Sequence, residues 1–250
     1  MDLVGDLLAR DRRTRETALV TADGRERTYH DLITNGYKAA NVLRYLGVRA
    51  GATVAVDPTP GFHTTLAFLG AAAVGAPVRF DPAAGIEAGD RVVLAPVATA
   101  AALDPAPGTN LAAFGGPPER PETTHWEQEL WSENPGTPPS DVEPDDAVVV
   151  EPGQTVSHRD LCSIAAAAVE ACVIDEGTRV VLRRPFSDAP ALAAGLVAPL
   201  SVGATAVLAP PSGDGESGDE PRGDVAVAPG GVDVPEPRRI DPASIGPAAE

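Results

Sequence analysis

Few side chains in this sequence have the types and spacing that chemistry requires. His158 and Cys162 are four positions apart, which can bind a metal when a second pair completes the site, but the sequence offers no second pair. Cys162 and Cys172 are ten positions apart in an alanine-rich stretch. That is about 15 Å along one helix, too far for a disulfide. We therefore predict no metal site and two buried, unbridged cysteines.

Arg183 and Arg184 are the best candidates for binding a ligand. They end an apolar run that is typical of a parallel strand, and ligand sites of α/β proteins form at the carboxyl ends of such strands. In so acidic a chain, a local salt bridge is the competing interpretation of this pair. His158 is a weaker candidate for cofactor binding, because it follows Ser157, a residue that can cap a helix. Packing at the helix start is the alternative for His158, and no residue qualifies as catalytic.

The charge balance excludes some partners. Acidic residues number 36 against 19 basic ones, for a net charge of -17, and Lys38 is the only lysine. Such a surface repels nucleic acid and anionic lipid, so we expect neither as a partner. Acidic surplus, scarce lysine and few aromatic residues predict a halophilic protein of haloarchaeal origin, since concentrated salt screens the repulsion between carboxylates. An acidic protein from a GC-rich mesophile is the alternative.

The apolar segments indicate a cytoplasmic protein. The first residues contain no continuous apolar segment of the kind found in signal peptides. The longest apolar stretch, 189–208, is interrupted by Pro190, Pro199 and Gly203, which predicts a helix, a turn and a strand in place of a membrane span.

Strand-like and helix-like runs alternate along the chain. Short apolar runs closed by Asp-Pro alternate with helical patterns over 50–97, and the same order returns after residue 144. This alternation predicts an α/β fold made of two doubly wound βα subdomains, each with a parallel sheet. The predicted organisation is a first subdomain (1–103), a Pro/Gly-rich connection (104–144), a second subdomain (145–210), an acidic flexible linker (211–224), and a last strand with a frayed tail (225–250).

The first half contains an ordered series of short motifs, namely Thr28-Tyr29, Asp31-Leu32, Leu46-Gly47-Val48, Gly51, Val54-Ala55, Gly75-Ala76 and Asp81-Pro82. In order and spacing, this series resembles the N-terminal domain of the adenylate-forming superfamily. That superfamily includes acyl-CoA synthetases, peptide-synthetase adenylation domains and luciferases. In the family these residues are structural, so the resemblance implies a fold and not a reaction.

The second half continues the resemblance but departs from it at the residues that carry chemistry. Ser157-His158-Arg159-Asp160-Leu161 resembles the helix start that follows the family's phosphate loop. Enzymes have a Ser/Thr/Gly-rich loop with Pro-Lys-Gly before that helix, whereas only Glu-Pro-Gly-Gln-Thr-Val separates Val150 from Ser157. Enzymes also have a histidine after the Pro-x-x of the next strand, and here the corresponding residue is Asp188.

These departures imply an incomplete, degenerate member of the family without catalytic residues. ATP or AMP stays open as a ligand, but the phosphate loop is missing. The family's catalytic lysine lies in a small C-terminal domain, for which we expect no room after Pro210. The main hypothesis is a non-catalytic relative or accessory subunit of acyl-CoA synthetases. If the chain is active, the resemblance implies an ATP-dependent acid-CoA ligase.

Two alternatives remain. One is an acyl or nucleotide-binding module formed by Arg183, Arg184 and the Pro58–Phe62 loop, and the other is one subunit of a split acid-CoA ligase. A sheet with fewer strands than the enzymes have exposes its edges, which need a cover. We therefore expect a homo-oligomer, or a partner that is itself an acyl-CoA synthetase-like protein.

Overall fold

Two β-sheets with mostly parallel strands form the framework of the protein, and the computed structural model describes residues 1–209 and 221–246. Most of the predicted acidic linker 211–224, and the tail beyond residue 246, lie outside the described residues. The strands are β1 (Thr17–Val20), β2 (Glu26–Thr28), β3 (Thr53–Val56), β4 (Val78–Phe80), β5 (Asp90–Pro96), β6 (Asn110–Phe114), β7 (Thr124–His125), β8 (Ala147–Glu151), β9 (Gln154–Ser157), β10 (Arg179–Leu182), β11 (Thr205–Leu208), β12 (Val225–Val227) and β13 (Arg238–Ile240).

The helices follow the predicted alternation. They are α1 (Tyr29–Tyr45), α2 (Phe62–Ala73), α3 (Val97–Ala100), α4 (Trp126–Ser132), α5 (His158–Cys172), α6 (Ala189–Leu192) and α7 (Ala198–Ser201), with a π-helical turn at Ala193–Val197 between the last two. Short 3-10 turns occur at Val4–Leu8, Arg10–Arg12, Pro82–Ala84 and Pro242–Ser244. The apolar spacing of the N-terminal segment predicts one amphipathic helix, but the segment forms two 3-10 turns, and its apolar residues Val4, Leu7 and Leu8 are nevertheless buried.

Each sheet mixes strands from distant parts of the chain. Sheet I has the order β7-β6-β5-β3-β4-β8-β9, and sheet II has the order β13-β12-β10-β11-β1-β2. All neighbours are parallel except the hairpins β1–β2 and β8–β9. The α/β prediction is confirmed.

Sheet membership does not follow the predicted subdomain boundaries. Strands β1 and β2, from the predicted first subdomain, belong to sheet II, while β8 and β9, from the predicted second subdomain, belong to sheet I. The predicted connection 104–144 contains β6, β7 and α4. Sequence order alone does not specify which sheet a strand joins, because hydrogen-bonding neighbours in a sheet need not be neighbours in the chain.

The two long helices α1 and α5 begin in the same way. Thr28 accepts a hydrogen bond from the backbone N–H of Asp31, whose carboxylate accepts one back from the N–H of Thr28. Ser157 and Asp160 make the same reciprocal pair before α5. Each pair is a capping box, which satisfies backbone donors that a helix start leaves without partners. These caps place the N-terminal residues of both helices, including His158.

Helices from both halves lie between the two sheets. Helix α1 packs on β1 and β2 of sheet II, α2 packs on β3 and β4 of sheet I, and the two helices contact each other closely. A Cβ atom at Gly70 would lie 2.8 Å from the backbone nitrogen of Ala40, so only glycine allows this approach. One apolar core therefore continues through both sheets. Within the described residues, no helix is both long enough and apolar enough to cross a membrane.

Candidate functional site

The place where the family resemblance puts a phosphate loop is a tight hairpin. Strands β8 and β9 pair antiparallel, with Glu151 opposite Gln154, so only Pro152 and Gly153 form the turn. Gly153 has φ +83°, a conformation that glycine adopts without strain and that type II turns require after a proline. The chain then enters α5 directly through Ser157. This connection is regular and short, with no loop that could surround a polyphosphate.

The Glu151 side chain reaches the start of a neighbouring helix. Its Oε1 accepts a hydrogen bond from the backbone N–H of Ala189, the first residue of α6, at 3.1 Å, and its Oε2 accepts from Gln154 Nε2 at 2.5 Å. Backbone N–H groups at a helix start carry partial positive charge and attract anions. Glu151 therefore supplies an anion to this helix end from within the chain.

Asp188, at the position where the family resemblance implies a histidine, contacts the same helix end. Its Oδ1 accepts from the N–H of Ala191 at 3.0 Å, which makes it the N-cap of α6. Its Oδ2 accepts from Arg184 Nε at 2.9 Å and from Arg184 Nη2 at 2.8 Å. The Arg184 charge is thus neutralised by a carboxylate four positions further along the chain. At the start of α6, the carboxylates of Glu151 and Asp188 thus accept hydrogen bonds from the backbone and from Arg184 without a ligand.

Arg183 points to the other side of the strand end and is buried. Its side chain is 5% exposed, and it donates from Nη2 to Glu236 Oε1 at 2.8 Å and from Nε to Glu236 Oε2 at 3.2 Å. The Glu236 side chain is 0% exposed. Glu236 belongs to the segment predicted as a frayed tail, which this ion pair and β13 instead attach to sheet II. A buried, two-fold hydrogen-bonded pair of this kind fixes a connection, because neither charge can be left alone in the core.

His158 is fully buried at the start of α5. Its Nδ1 accepts a hydrogen bond from the backbone N–H of Val4 at 3.1 Å, and its backbone N–H donates to the Asp146 carbonyl. Burial lowers the pKa of His158, against the opposing charges of Asp146 and Asp6. The neutral ring therefore connects α5 to the N-terminal segment. Burial also raises the pKa of the neighbouring Cys162 thiol to about 11.

A pH series on His158→Gln tests this connection. The folded pKa of His158 lies below its unfolded value of about 6.5, so its contribution to stability is complete above that pH and is lost as the pH falls towards the folded pKa. The glutamine amide oxygen can accept the Val4 N–H without ever becoming charged. From pH 7.5 to 5.5 we expect the free energy of unfolding to fall less steeply in the variant, by up to about 1.4 kcal/mol per pH unit.

Urea denaturation at each pH measures that difference. His30→Gln is the matched control, since His30 is exposed on α1. His63, whose pKa burial also lowers, is present in all three proteins and cancels from the comparison. Equal slopes for the wild type and His158→Gln would contradict the assignment.

The structure does not bring the three predicted site residues into one group. Arg184 lies with Asp188, Arg183 is held by Glu236, and His158 contacts the N-terminal segment. Nucleotide binding by these residues stays a prediction. The Pro58 carbonyl accepts from the Phe186 N–H at 2.8 Å, so the Pro58–Phe62 loop does meet the end of β10. Within the described residues, no group of three or more His, Cys, Asp or Glu side chains is arranged to hold a metal.

Comparison with known proteins identifies the fold of this chain. No family model matches the sequence, and no curated protein matches it. Among solved structures, the benzoate CoA ligase from Burkholderia xenovorans LB400 superposes with a TM-score of 0.73 at 22% identity, over 90% of this chain and 50% of that one. The protein has the fold of an adenylate-forming N-terminal domain.

Two other solved structures show the same fold. The N-terminal domain of FACL13 from Mycobacterium tuberculosis has a TM-score of 0.68 at 20% identity, over 86% of this chain and 58% of that one. Apo MatB from Rhodopseudomonas palustris has a TM-score of 0.66 at 17% identity, over 82% of this chain and 44% of that one. The chain thus spans about half the length of the three chains it superposes on, at identities that establish the fold alone.

Proposed function

We propose that this protein is a non-catalytic relative of AMP-dependent acyl-CoA synthetases that acts as an accessory subunit. The observation that carries the proposal is the β8–β9 hairpin, where a two-residue turn stands in place of a phosphate loop. A triphosphate is normally surrounded by backbone N–H groups of a glycine-rich loop, hydroxyl groups, a lysine and a metal. The hairpin supplies one glycine and no lysine.

The surrounding charges argue in the same direction. Glu151 and Asp188 both place carboxylates at the start of α6, and a phosphate group brought there would meet like charges. Arg184, the nearest cation, already donates two hydrogen bonds to Asp188. The residues present therefore do not fit a nucleoside triphosphate, and we derive no adenylation step from them.

The edge strands of both sheets are positions where a partner chain can pair. Strands β2 and β13 end sheet II, and β7 and β9 end sheet I. Unpaired strand edges invite pairing with another chain, so we propose a second copy of this chain, or an acyl-CoA synthetase-like protein, as the cover. Light scattering of the purified protein measures its mass, and a pull-down tests for a synthetase partner. A monomeric mass together with no synthetase recovered would contradict the proposal.

Calorimetric titration with Mg-ATP and with a non-hydrolysable acyl-adenylate analogue tests the missing activity. We expect no saturable heat from ATP at millimolar concentration and no adenylate formed from any acid. The titration is run in 0.2 M and in 2 M KCl, and the unfolding temperature is measured at both concentrations. The proposed halophilic character predicts a higher unfolding temperature in 2 M KCl.

The other outcomes separate the alternatives. Micromolar binding of ATP, or any adenylate formed by the isolated chain, would overturn the non-catalytic proposal. Binding of the analogue without ATP would identify a ligand-binding module. Ligase activity that appears only after a second chain is added would identify a split enzyme. A Glu151→Gln variant measures whether the carboxylate at α6 is what excludes the phosphate, since it removes the charge and keeps the side-chain length.

A further inference from the structure

The strand order of sheet I creates a crevice that Arg183, Arg184 and His158 do not line. From β3 the chain passes through α2 to β4 on one side, and then returns to β5 on the other side of β3. Helix α2 packs in the core between the sheets, whereas α3 packs on the opposite face of sheet I with residues of β5 and β6. The connections after β3 and β5 thus leave in opposite directions. In open α/β sheets, ligands bind at such a switch point, outside the carboxyl ends of the strands.

A cleft of about 370 Å³ occupies this position, within the size range of small-molecule sites. Its floor consists of Pro60, Phe62 and His63 after β3, Pro96 at the end of β5, and Phe114 at the end of β6. The β1–β2 hairpin forms the opposite wall. None of the lining residues belongs to β8, β9 or β10, so this cleft is separate from the hairpin at Glu151 and from the Arg183–Arg184 strand end.

The floor is aromatic. The rings of Phe62 and His63 have centroids 5.8 Å apart at an interplanar angle of 62°, and those of His63 and Phe114 are 5.3 Å apart at 32°. Rings in such offset and edge-on arrangements present both faces and edges to a third ring. The cleft therefore suits a flat apolar or aromatic body.

One cation stands over this floor without an acidic partner. The guanidinium of Arg27 lies 4.6 Å from the Phe62 ring centroid. Its Nε is buried and makes no hydrogen bond, and in the described part of the chain no carboxylate pairs with it. Arg25, on the same wall, pairs instead with Asp23 at 3.2 Å. Arg13 is in a similar state near the Tyr37 ring, but it lies outside the cleft.

The start of α2 opens into the same cleft. Gly61 is the N-cap, no side chain caps the helix, and its first turn contains no acidic residue. Phe62, His63 and Thr64, the first three residues of α2, all line the cleft. Their backbone N–H groups carry the partial positive charge of the helix end. This helix end differs from that of α6, where Glu151 and Asp188 already accept from the N–H groups.

We propose that this cleft binds a small aromatic monoanion. The ring of the ligand lies against Phe114 and His63, and its acid group meets the Arg27 guanidinium and the first-turn N–H groups of α2. One cation and one helix end favour a single negative charge, because the Glu127 carboxylate lies 3.8 Å from His63 Nε2 and a dianion would leave part of its charge without a partner. The proposal concerns binding alone and is independent of whether the protein forms adenylates.

Binding is measured by 19F NMR with 4-fluorobenzoate and with 4-fluorobenzenesulfonate, which share one aromatic ring and one negative charge. The neutral 4-fluorobenzamide is the control ligand. We expect saturable binding of both anions to the wild type and binding at least about tenfold weaker for the amide. Chemical shifts of the backbone amides of 61–64 should move on binding.

Variants locate the site. Arg27→Gln should weaken the anions about tenfold or more and leave the amide unchanged, whereas Phe114→Ala should weaken all three ligands. Arg15→Gln, an exposed arginine outside the cleft, should change nothing. Preserved binding of the amide shows that the Arg27 variant is folded. The proposal is overturned if no ligand binds at millimolar concentration, if anions and amide bind equally, or if the shifts appear elsewhere.

Discussion

Replacing Trp126 with alanine should lower the free energy of unfolding by about 3–5 kcal/mol. The side chain of Trp126 is 0% exposed and belongs to the largest residues of the core. It begins α4, which packs on β6 and on α1, so its removal leaves a cavity between the predicted connection and the predicted first subdomain. Chemical denaturation in constant KCl, followed by circular dichroism, measures the loss.

Trp131 provides a matched control five positions further along the same helix. Its side chain is 87% exposed, so Trp131→Ala should change stability by no more than about 0.5 kcal/mol. The indole N–H of Trp126 is buried and has no hydrogen-bond partner among the described atoms. Trp126→Phe should therefore cost clearly less than Trp126→Ala, because it keeps most of the apolar volume and removes a donor without a partner. Similar losses for the Trp126 and Trp131 alanine variants would refute this account.

Asp90→Ala should have an effect of the same size, about 3–5 kcal/mol, for an electrostatic reason. The Asp90 side chain is 1% exposed and that of Arg79 is 10% exposed. Arg79 donates to both oxygens of Asp90 and also to the Gly85 carbonyl, and Asp90 accepts from the Glu87 N–H at 2.7 Å. Removing the carboxylate leaves a buried guanidinium without its main partner.

A double variant separates charge from packing. Arg79→Leu with Asp90→Leu should recover most of the loss, because an apolar pair replaces a buried ion pair at little cost. Asp145→Ala is the control, since Asp145 pairs with Arg159 on the surface with its side chain 80% exposed, and it should have little effect. Unfolding in urea at 2 M KCl compares the four proteins. A double variant as unstable as Asp90→Ala would argue against the buried charge as the cause.

Local patterns in the sequence predicted local structure well. The Asp23-Gly24 pair predicts a hairpin, and β1 and β2 pair antiparallel around it. Gly47, which follows a helical pattern, predicts the end of the first helix, and it has φ +90° directly after the C-cap Leu46. The capping residues before α5 also lie where Ser157 predicts them. These signals depend on residues within one or two turns of each other, so a single sequence contains all of the information.

Contacts between distant residues could not be predicted in this way. Arg183 meets Glu236, which lies 53 positions later, and His158 meets Val4, which lies 154 positions earlier. The segment around Glu236 has no strong pattern of its own, and the amphipathic pattern around Val4 predicts burial without indicating the partner. The Arg27 cleft was likewise missed, although the Pro58–Phe62 loop that forms part of it was singled out. The signal that identifies this cleft is the position of β3 between β4 and β5. That position can be recognised only when the strand order of the sheet is known.

The carboxylate of Glu151 at the start of α6 also acts as a tethered competitor. A group attached to the same chain meets its site at an effective concentration that is roughly millimolar even for short flexible tethers, and the β8–β9 hairpin holds Glu151 more rigidly than that. A free anion must exceed this local concentration, or bind with additional contacts, before it displaces the carboxylate. The start of α6 is therefore already occupied by an anion from within the molecule.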